Sequence, residues 1–416
     1  MFKKMVGILS IGIVSLVLSY SFIVPVRAAV DKTYEQLRLL IDVMGLIDAN
    51  YVEEKNNKDL ITGAINGMVR ALDPFSQFLE PDAYKEMKSE TEGEFGGIGI
   101  RISLKNDWLT VMTPLPGTPA YKAGILPEDK IIKVDNKNIY RITIENAIKL
   151  LRGAPGTKVT LSVAREGEKE PIDYTLTREI IKIETVRSKM IDSEIGYIQL
   201  IEFTAKSEKD LIKALLQLKK EGLKSLVLDL RNNPGGLLDS AIDVSQDFLE
   251  EGKLVVYTQG REKETRRDYF SRGKSEFAKL PIVVLVNRGS ASGSEIVAGA
   301  MQDLKRGLIV GTTTFGKGSV QSIFPFADGY ALRLTTAKYY TPLGRSIHRD
   351  ENTGVGGIIP DIVIDVPRDI ESKLYKQSEK IFVKGKEPQS AVKKEELVED
   401  VVLKKAIELI KNRKVL

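Results

Sequence analysis

Apolar runs in the second half of the chain predict buried strands that alternate with helices. Residues 280–286 form an unbroken run rich in β-branched side chains, which is typical of a strand covered on both faces of a parallel sheet. A similar run at 225–230 follows a helical pattern over 207–220, and a strand pattern at 196–200 precedes that helix. This alternation predicts an α/β domain.

Different patterns precede and follow this domain. Apolar residues recur at helical spacing between about residues 30 and 90, over 34–44 and again over 60–68. From 93 to 178 the pattern changes to short strands separated by turns. After a charged stretch at 384–399, the final segment predicts an amphipathic helix with its apolar positions at Val401, Leu403, Ala406, Ile407 and Ile410.

These changes of pattern divide the chain into five parts, and the expected fold is a multidomain α/β protein. A β domain is inserted between an N-terminal helical region and the α/β core, and a helical tail follows the core. The expected bounds are 1–28 for a signal peptide or membrane anchor, 30–90 for the helical region, 91–180 for the β domain, 181–368 for the core and 369–416 for the charged linker and C-terminal helix.

The first 28 residues predict a targeting segment. Lys3 and Lys4 precede an apolar stretch at 5–26, and Val26-Arg27-Ala28 provides a small residue for cleavage. The sequence therefore predicts an extracytoplasmic protein. Because the apolar stretch is also long enough for an uncleaved membrane anchor, a secreted form and a membrane-anchored form both stay open.

Composition excludes several kinds of active site in this chain of 416 residues. There is no cysteine and one histidine, so a cysteine nucleophile and a cysteine-rich zinc site are impossible. The histidine, His348, has no acidic residue at a motif spacing, and we expect a structural role for it. Three of the five net positive charges lie in the targeting segment, and the remaining charge of +2 does not favour nucleic acid as a partner.

The break after the apolar run at 280–286 holds the main candidate chemistry. Residues 287–295 are small and polar, and a helical pattern follows them. A strand that turns into a helix exposes side chains and free backbone N–H groups at the turn. Ser292 lies in this turn, and a lysine, Lys317, follows 25 residues later among small and apolar neighbours. Burial would lower the pKa of that lysine, so its neutral amine could take a proton from the serine.

The run from Ser290 to Ile296, together with Lys317 and then Gln321, resembles the carboxyl-terminal processing peptidases, the Ser-Lys family S41 of PDZ-containing, tail-specific proteases. The resemblance implies an α/β (crotonase-like) protease core that needs no metal or other cofactor. It also implies that Ser292 is the nucleophile, that Lys317 is the general base and that Gln321 positions the lysine. Gly293 stands where alanine is usual in the family, which is acceptable if this residue contributes only its backbone N–H.

The predicted strand at 225–230 ends in a second motif that contains the glycine pair Gly235 and Gly236. The carboxyl ends of strands are where active sites gather in open α/β sheets. One N–H of this pair, together with the N–H of Gly293, would form the oxyanion hole that the family resemblance implies. Whether Gly235 or Gly236 donates this N–H stays open. The alternative for either residue is a structural one, in which it is needed only to form a tight turn.

Residues 93–178 resemble a PDZ domain. The resemblance rests on the ordered motifs Phe95–Ile100, Pro116–Ala120, Ala123–Ile125 and Asp129–Asp135, on a predicted helix at Thr143–Leu151 and on a predicted strand at Val159–Arg165. It implies that Phe95, Gly96, Gly97 and Ile98 bind the C-terminal carboxylate of a substrate while the peptide adds as a strand. Arg152 follows the helix directly, either as a charge that complements the helix C-terminus or as a gate that couples peptide binding to the active site.

The sequence also contains features of two other classes of protein. The segment Gly311–Lys317 satisfies most of a phosphate-binding loop, but Gly318 replaces the required Ser/Thr, a strand-like pattern follows, and the acidic strand precedes the loop. A non-catalytic PDZ adaptor is the alternative to the protease.

The expected partners are proteins or peptides with apolar C-terminal tails, a membrane if the targeting segment is uncleaved, and a second copy of the chain through the N- and C-terminal helices.

Overall fold

A computed structural model of the protein describes residues 34–115, 117–126, 128–182, 184–350, 352–367, 369–371, 373–374, 377 and 398–412. The chain divides into two compact units, one up to Phe78 and the other from Leu79 onward. The predicted targeting segment and most of the charged stretch at 384–399 lie outside the described residues. Within the described ranges, no helix has the length and apolar character needed to cross a bilayer.

The described part of the first unit, residues 34–78, is mainly helical. It contains α1 (residues 34–50) and α2 (Asn57–Arg70), and the Asn56 side chain caps α2 by accepting a hydrogen bond from the Lys58 N–H at 2.9 Å. Several apolar side chains of α1 are exposed, Ile41 and Leu46 among them. A short strand, β1 (Gln77–Leu79), follows α2, and the next helix, α3 (Pro81–Thr91), belongs to the second unit.

The second unit begins with α3 and a β domain. The strands are β2 (Glu94–Gly97), β3 (Ile100–Lys105), β4 (Trp108–Pro114), β5 (Lys130–Val134), β6 (Lys137–Asn138), β7 (Lys158–Ala164), β8 (Ile172–Thr177) and β9 (Glu179–Lys182), and the helices are α4 (Pro119–Lys122) and α5 (Ile144–Leu151). An antiparallel sheet has the order β3-β4-β5-β7-β8, with β6 on β5, while β2 pairs with β9 separately. The ring of Trp108 lies 4.8 Å from that of Tyr140 at the edge of this domain.

The predicted helix and last motif strand of the β domain are confirmed. Thr143 accepts a hydrogen bond from the Asn146 N–H and caps α5, so the helix begins where its capping residue predicts. Alternate residues of β7, namely Val159, Leu161 and Val163, are buried, as expected for a strand with one face on a core.

The remainder of the second unit is the α/β core. Its strands are β10 (Val186–Met190), β11 (Ile195–Leu200), β12 (Ser225–Asp229), β13 (Leu254–Gln259), β14 (Arg267–Phe270), β15 (Ile282–Val286), β16 (Leu308–Gly311), β17 (Ser319–Pro325), β18 (Ala331–Tyr340) and β19 (Ile362–Val363). Its helices are α6 (Ser207–Lys220), α7 (Leu238–Gln246), α8 (Gly293–Asp303) and α9 (Val401–Lys411). One sheet has the order β10-β11-β12-β15-β16-β19, and in a second sheet β18 pairs with both β17 and β13, which pairs with β14.

The first of these sheets is parallel from β11 to β19 and is covered on both faces. Along β15, Ile282 and Val284 pack with the apolar residues of α6, α7 and α8, whereas Val283 and Leu285 pack with α9. Successive side chains of a strand point to opposite faces, so an unbroken apolar run is required here. The strands predicted at 225–230 and 280–286 are therefore confirmed as central strands.

The C-terminal helix is confirmed, but the predicted apolar face is partly wrong. Val401 is 41% exposed, and the buried side chains are Val402, Ala406 and Leu409. These three follow an i, i+4, i+7 spacing, which places them in one stripe against the sheet. Leu403, Ile407 and Ile410 flank the stripe and are partly buried.

Candidate active site

Two loops meet at the carboxyl ends of β12 and β15. We call residues 231–236 the glycine loop and residues 287–292 the serine turn. Because β12 and β15 are parallel neighbours, their following segments begin side by side. Asn232 and Asn287 join them: the Asn232 N–H donates to Asn287 Oδ1 at 2.9 Å, and Asn287 Nδ2 donates to Asn232 Oδ1 at 2.9 Å.

Two of the three serines in and after this turn hold the backbone together. The Ser290 hydroxyl donates to the Leu230 carbonyl at 2.8 Å, and the Ser294 hydroxyl donates to the Asn233 carbonyl at 2.9 Å. Both serines are fully buried. These contacts give Ser290 and Ser294 a structural role between the serine turn and the glycine loop.

Ser292 occupies the N-cap position of α8 in a strained conformation. Its φ is 51° and its ψ is −110°, a region that non-glycine residues rarely adopt. The residue is 7% exposed. Gly235 lies directly against it, since a Cβ atom at position 235 would stand 2.7 Å from the Ser292 Cβ and 2.8 Å from the Gly293 nitrogen. The glycine at 235 is therefore required by this close approach.

Glu295 connects the serine turn to the segment that carries Lys317. We call residues 312–318 the lysine loop. Glu295 is fully buried on the first turn of α8, and its Oε2 accepts hydrogen bonds from the Ser292 N–H at 2.8 Å and the Lys317 N–H at 2.9 Å. Its Oε1 accepts from the Gly316 N–H and the Thr314 hydroxyl, both at 2.6 Å. One carboxylate thus fixes both candidate catalytic segments.

The charge of this carboxylate is set by opposing effects. Burial raises the pKa of Glu295 above its usual range, while the four hydrogen bonds act in the opposite direction. In each of the four contacts a carboxylate oxygen accepts a hydrogen bond. A protonated carboxyl group would direct its own O–H toward one of these donors, so the ionised form of Glu295 fits the site.

Lys317 is half-buried at the end of the lysine loop. Burial lowers the pKa of its amine, and the positive charge of Arg333 lowers it further, whereas the charge of Glu295 raises it. The direction agrees with the sequence expectation of a lysine that loses its proton more easily than an exposed one.

Gln321 lies on β17 next to a register shift between Val320 and Gln321. Its Nε2 donates to Ser319 Oγ at 2.9 Å and to Thr335 Oγ1 at 3.3 Å. Gln321 follows Lys317 by four residues, a spacing that places two side chains on one side of a regular strand, but the bulge interrupts that regularity. The role of Gln321 in orienting Lys317 stays a prediction.

Tyr339, which the sequence did not single out, lies near the candidate nucleophile. Its hydroxyl is close enough to the Ser292 side chain to influence the pKa of Tyr339, and its N–H donates to the Gly318 carbonyl at 2.7 Å. Burial raises the pKa of Tyr339 to about 12, so the hydroxyl keeps its proton. Tyr339 lies on β18, 47 positions from Ser292 in the sequence, and no local motif links the two.

Some backbone N–H groups near Ser292 are already hydrogen-bonded within the protein, and others are available to a ligand. The Gly235 N–H donates to Asn233 Oδ1 at 2.9 Å. Within the part of the chain that the structure describes, the N–H groups of Gly236 and Gly293 donate to no protein acceptor. These two groups are free to bind an anionic oxygen.

The predicted peptide-binding segment opens the β domain. Phe95, Gly96 and Gly97 lie in β2, and a Cβ atom at position 96 would stand 2.1 Å from the Gly153 carbonyl oxygen, so this position requires glycine. Ile98 is buried in the domain core, which leaves only its backbone for a ligand. The segment is thus packed against the end of α5.

Arg152 connects this segment to α3. Its Nη1 donates to Glu86 at 2.8 Å and to Glu90, and its guanidinium lies 4.4 Å from the ring centroid of Phe95. The charge that caps α5 belongs instead to Arg178, which donates to the carbonyls of Leu150 and Leu151. The interpretation of Arg152 as only a helix C-terminal charge is therefore wrong.

The segment after Lys317 and the position of His348 bear on two further expectations from the sequence. The residues after Lys317 form β17, a strand, and the phosphate loop would require a helix there. The backbone of His348 packs on Gly318, where a Cβ atom would stand 2.2 Å from the His348 nitrogen. Among the described residues, no group of three or more acidic or histidine side chains is arranged to hold a metal ion.

Comparison with known proteins assigns a family to this arrangement. Residues 194–364 match peptidase family S41, residues 110–165 match the PDZ domain, and residues 23–83 match the N-terminal domain of the activating protease CtpB.

Individual relatives extend over most of the chain. A carboxy-terminal-processing protease of Bartonella bacilliformis is 43% identical over 83% of this chain and 79% of its own length. The carboxy-terminal processing protease CtpA of Bacillus subtilis is 36% identical over 85% of this chain and 72% of its own. The solved photosystem II D1 C-terminal processing protease is 31% identical, with a TM-score of 0.49 over 80% of this chain and 95% of its own. This chain therefore belongs to peptidase family S41 and is a PDZ-containing protease of the carboxyl-terminal processing group.

Proposed function

We propose that the protein is an exported serine endopeptidase with a Ser-Lys dyad. Ser292 Oγ attacks the scissile carbonyl, Lys317 takes its proton and then returns it to the leaving amine, and water hydrolyses the acyl-enzyme. The N–H groups of Gly236 and Gly293 stabilise the oxyanion, because they are the donors near Ser292 that are not already bonded within the described residues. Gln321 orients the lysine.

The observation that carries this proposal is the shared anchor on Glu295. Its carboxylate binds the backbone N–H of Ser292 and that of Lys317 through the same oxygen, Oε2. Two residues 25 positions apart are thereby fixed next to one another, at the carboxyl edge of the sheet. A lysine of lowered pKa beside a serine in a strained turn is what base-assisted attack requires.

The pH dependence of acylation follows from the pKa of Lys317. The amine acts as a base only when neutral, so the acylation rate should fall as pH decreases through its pKa. Because that pKa is lowered, the inflection should lie below the usual lysine value of about 10.4. Single-turnover acylation of an ester substrate between neutral and alkaline pH measures this.

Arg333 provides the internal check on this pH profile. Its charge lowers the pKa of Lys317, so Arg333→Gln should move the inflection to higher pH. An acylation rate that does not change with pH in either protein would contradict the role of Lys317.

We further propose that the PDZ domain binds the C-terminal tail of the substrate through Phe95, Gly96, Gly97 and Ile98. Apolar tails fit a domain whose peptide-binding edge lies next to an apolar core. Arg152 contacts Phe95 and two glutamates of α3, so a peptide at Phe95 would meet this cluster first. This contact supports a gating role for Arg152.

Export and assembly are part of the same proposal. The predicted targeting segment places the protein outside the cytoplasm, either secreted or anchored to the outer face of the membrane. The exposed apolar side chains of α1 support a homodimer contact through the N-terminal helices.

The experiment that tests the enzyme compares the parent protein with Ser292→Ala. Both are incubated with a loosely folded protein that ends in an apolar tail, the products are identified by mass spectrometry, and tail-peptide affinity is measured in parallel. We expect cleavage by the parent alone and equal affinity in both proteins. Binding without cleavage by the parent would favour the PDZ adaptor, and cleavage by Ser292→Ala would reject Ser292 as the nucleophile.

A further inference from the structure

The C-terminal helix reaches the glycine loop through a buried ion pair. Asp400 caps α9 by accepting a hydrogen bond from the Leu403 N–H at 3.0 Å. The same carboxylate binds Arg231, the first residue of the glycine loop, through Nη1 at 2.9 Å and Nη2 at 2.8 Å. A residue 169 positions further along the chain thus holds one end of this loop.

Arg231 is shared between two carboxylates. Its Nε donates to both oxygens of Asp229 at 3.0 Å, and its Nη2 donates to Asp229 Oδ2 at 2.6 Å. The Tyr197 hydroxyl donates to the same Asp229 oxygen at 2.7 Å. Burial is the largest single influence on Asp400 and opposes its ionisation. The charge and hydrogen bonds of Arg231, together with the N–H groups of Leu403 and Val402, outweigh burial and hold the pKa of Asp400 below its usual range.

A cavity lies beside these polar contacts of the glycine loop. It has a volume of about 150 Å³ and lies between the loop and α9, lined by Arg231, Asn232, Asn287, Thr312 and Asp400 among others. The buried side-chain oxygen of Thr312 has no hydrogen-bond partner within the described part of the chain. Such a cavity leaves the loop room to shift if Arg231 loses its second partner.

The contacts continue from Arg231 to Ser292. Asn232 is paired with Asn287, and the Asn233 carbonyl accepts hydrogen bonds from the Ala291 N–H at 3.0 Å and the Ser294 hydroxyl at 2.9 Å. Ala291 precedes Ser292 in the chain. The backbone of residues 231–233 and these hydrogen bonds therefore connect α9 to the serine turn.

We propose that Asp400 is a positioning residue of the protease, which holds the glycine loop in register with Ser292 by fixing Arg231. The inference rests on the proposed serine chemistry, in which the glycine loop supplies an oxyanion donor. Asp400 does not touch the substrate, and its effect passes through Arg231. Docking of the C-terminal helix is thus a condition for an aligned active site.

The test uses Asp400→Asn in the full-length protein. Asparagine is as good an N-cap as aspartate, so α9 keeps its cap while Arg231 loses the charge of its second partner. We expect the acylation rate to fall about tenfold, because hydrogen bonds between charged groups are the stronger ones. Tail-peptide affinity should stay unchanged. Amide hydrogen exchange of residues 231–236 should become faster.

The matched control is Lys411→Gln, which removes the ion pair between α9 and Asp192 at 3.2 Å without touching Arg231. It should leave both acylation and the exchange of residues 231–236 as in the parent. Equal acylation and equal exchange in Asp400→Asn and the parent would overturn the proposal. Cleavage retained by Ser292→Ala in the same series would instead reject the proposed serine chemistry. The hydrogen-exchange measurement would still decide whether Asp400 holds the glycine loop in place.

Discussion

Replacing Lys317 with alanine should lower the acylation rate by about 10³-fold, because general-base assistance is lost while the serine and the oxyanion donors remain. Folding should change little, since the contacts that fix the lysine loop come from the backbone N–H groups of Gly316 and Lys317. Single-turnover kinetics with an ester substrate, together with tail-peptide affinity, would measure the effect. Affinity should stay at the parent value.

Two further variants isolate the chemistry of Lys317. Lys317→Arg keeps a positive charge of similar length but cannot lose its proton near neutral pH, so it should be as inactive as the alanine variant. Lys338→Ala removes an exposed lysine of β18 and should acylate at the parent rate. An active arginine variant would show that charge, and not proton transfer, is what position 317 supplies.

Glu295→Ala should cause a comparable loss through a different route. It leaves four donors without their acceptor in a fully buried site, and each unsatisfied group costs about 1–3 kcal/mol. The serine turn and the lysine loop would then lose their shared anchor and keep the hydrogen bond from the Phe315 N–H to the Ser290 carbonyl at 3.0 Å. We therefore expect acylation to fall by at least about 10²-fold, with a lower thermal midpoint. Glu295→Gln should be nearly as damaging, because its amide nitrogen would face N–H donors.

A graded control for Glu295 is available at Thr314. Thr314→Val removes one of the four donors and leaves the carboxylate bound to the three N–H groups. It also removes the acceptor of the buried Ile358 N–H, which costs stability but does not touch Glu295. Its effect on acylation should be far smaller than that of Glu295→Ala. If Glu295→Ala kept parent activity and lost only stability, the shared anchor would be structural and the two loops would align without it.

Much of the core is predictable because its elements follow simple periodicities. The run at 280–286 is apolar at every position since both faces of β15 are covered, and Ser207–Lys220 coincides with α6. The rule that sites gather at the carboxyl ends of parallel strands also predicts that Gly235 and Gly236 lie near Ser292. These predictions needed only local sequence and one topological rule.

The remaining features depend on contacts that no local pattern encodes. Tyr339 reaches Ser292 from a strand of the other sheet, so its role follows from how the two sheets pack. Arg152 directly follows α5, and its position alone suggests a helix C-terminal charge, whereas the side chain that donates to the last carbonyls of α5 is that of Arg178. Arg231 likewise binds Asp400, which lies 169 positions further along the chain, and the two residues meet only because α9 packs against the core.

Trp108 gives the protein a built-in optical reporter. It is the only tryptophan of the chain, and it lies on β4 of the PDZ domain beside Tyr140. Indole emission therefore monitors this one domain, while the far-ultraviolet circular dichroism signal sums over every helix and strand. Melting curves recorded by the two signals in one sample would coincide if the PDZ domain unfolds together with the protease core, and would separate if it opens on its own.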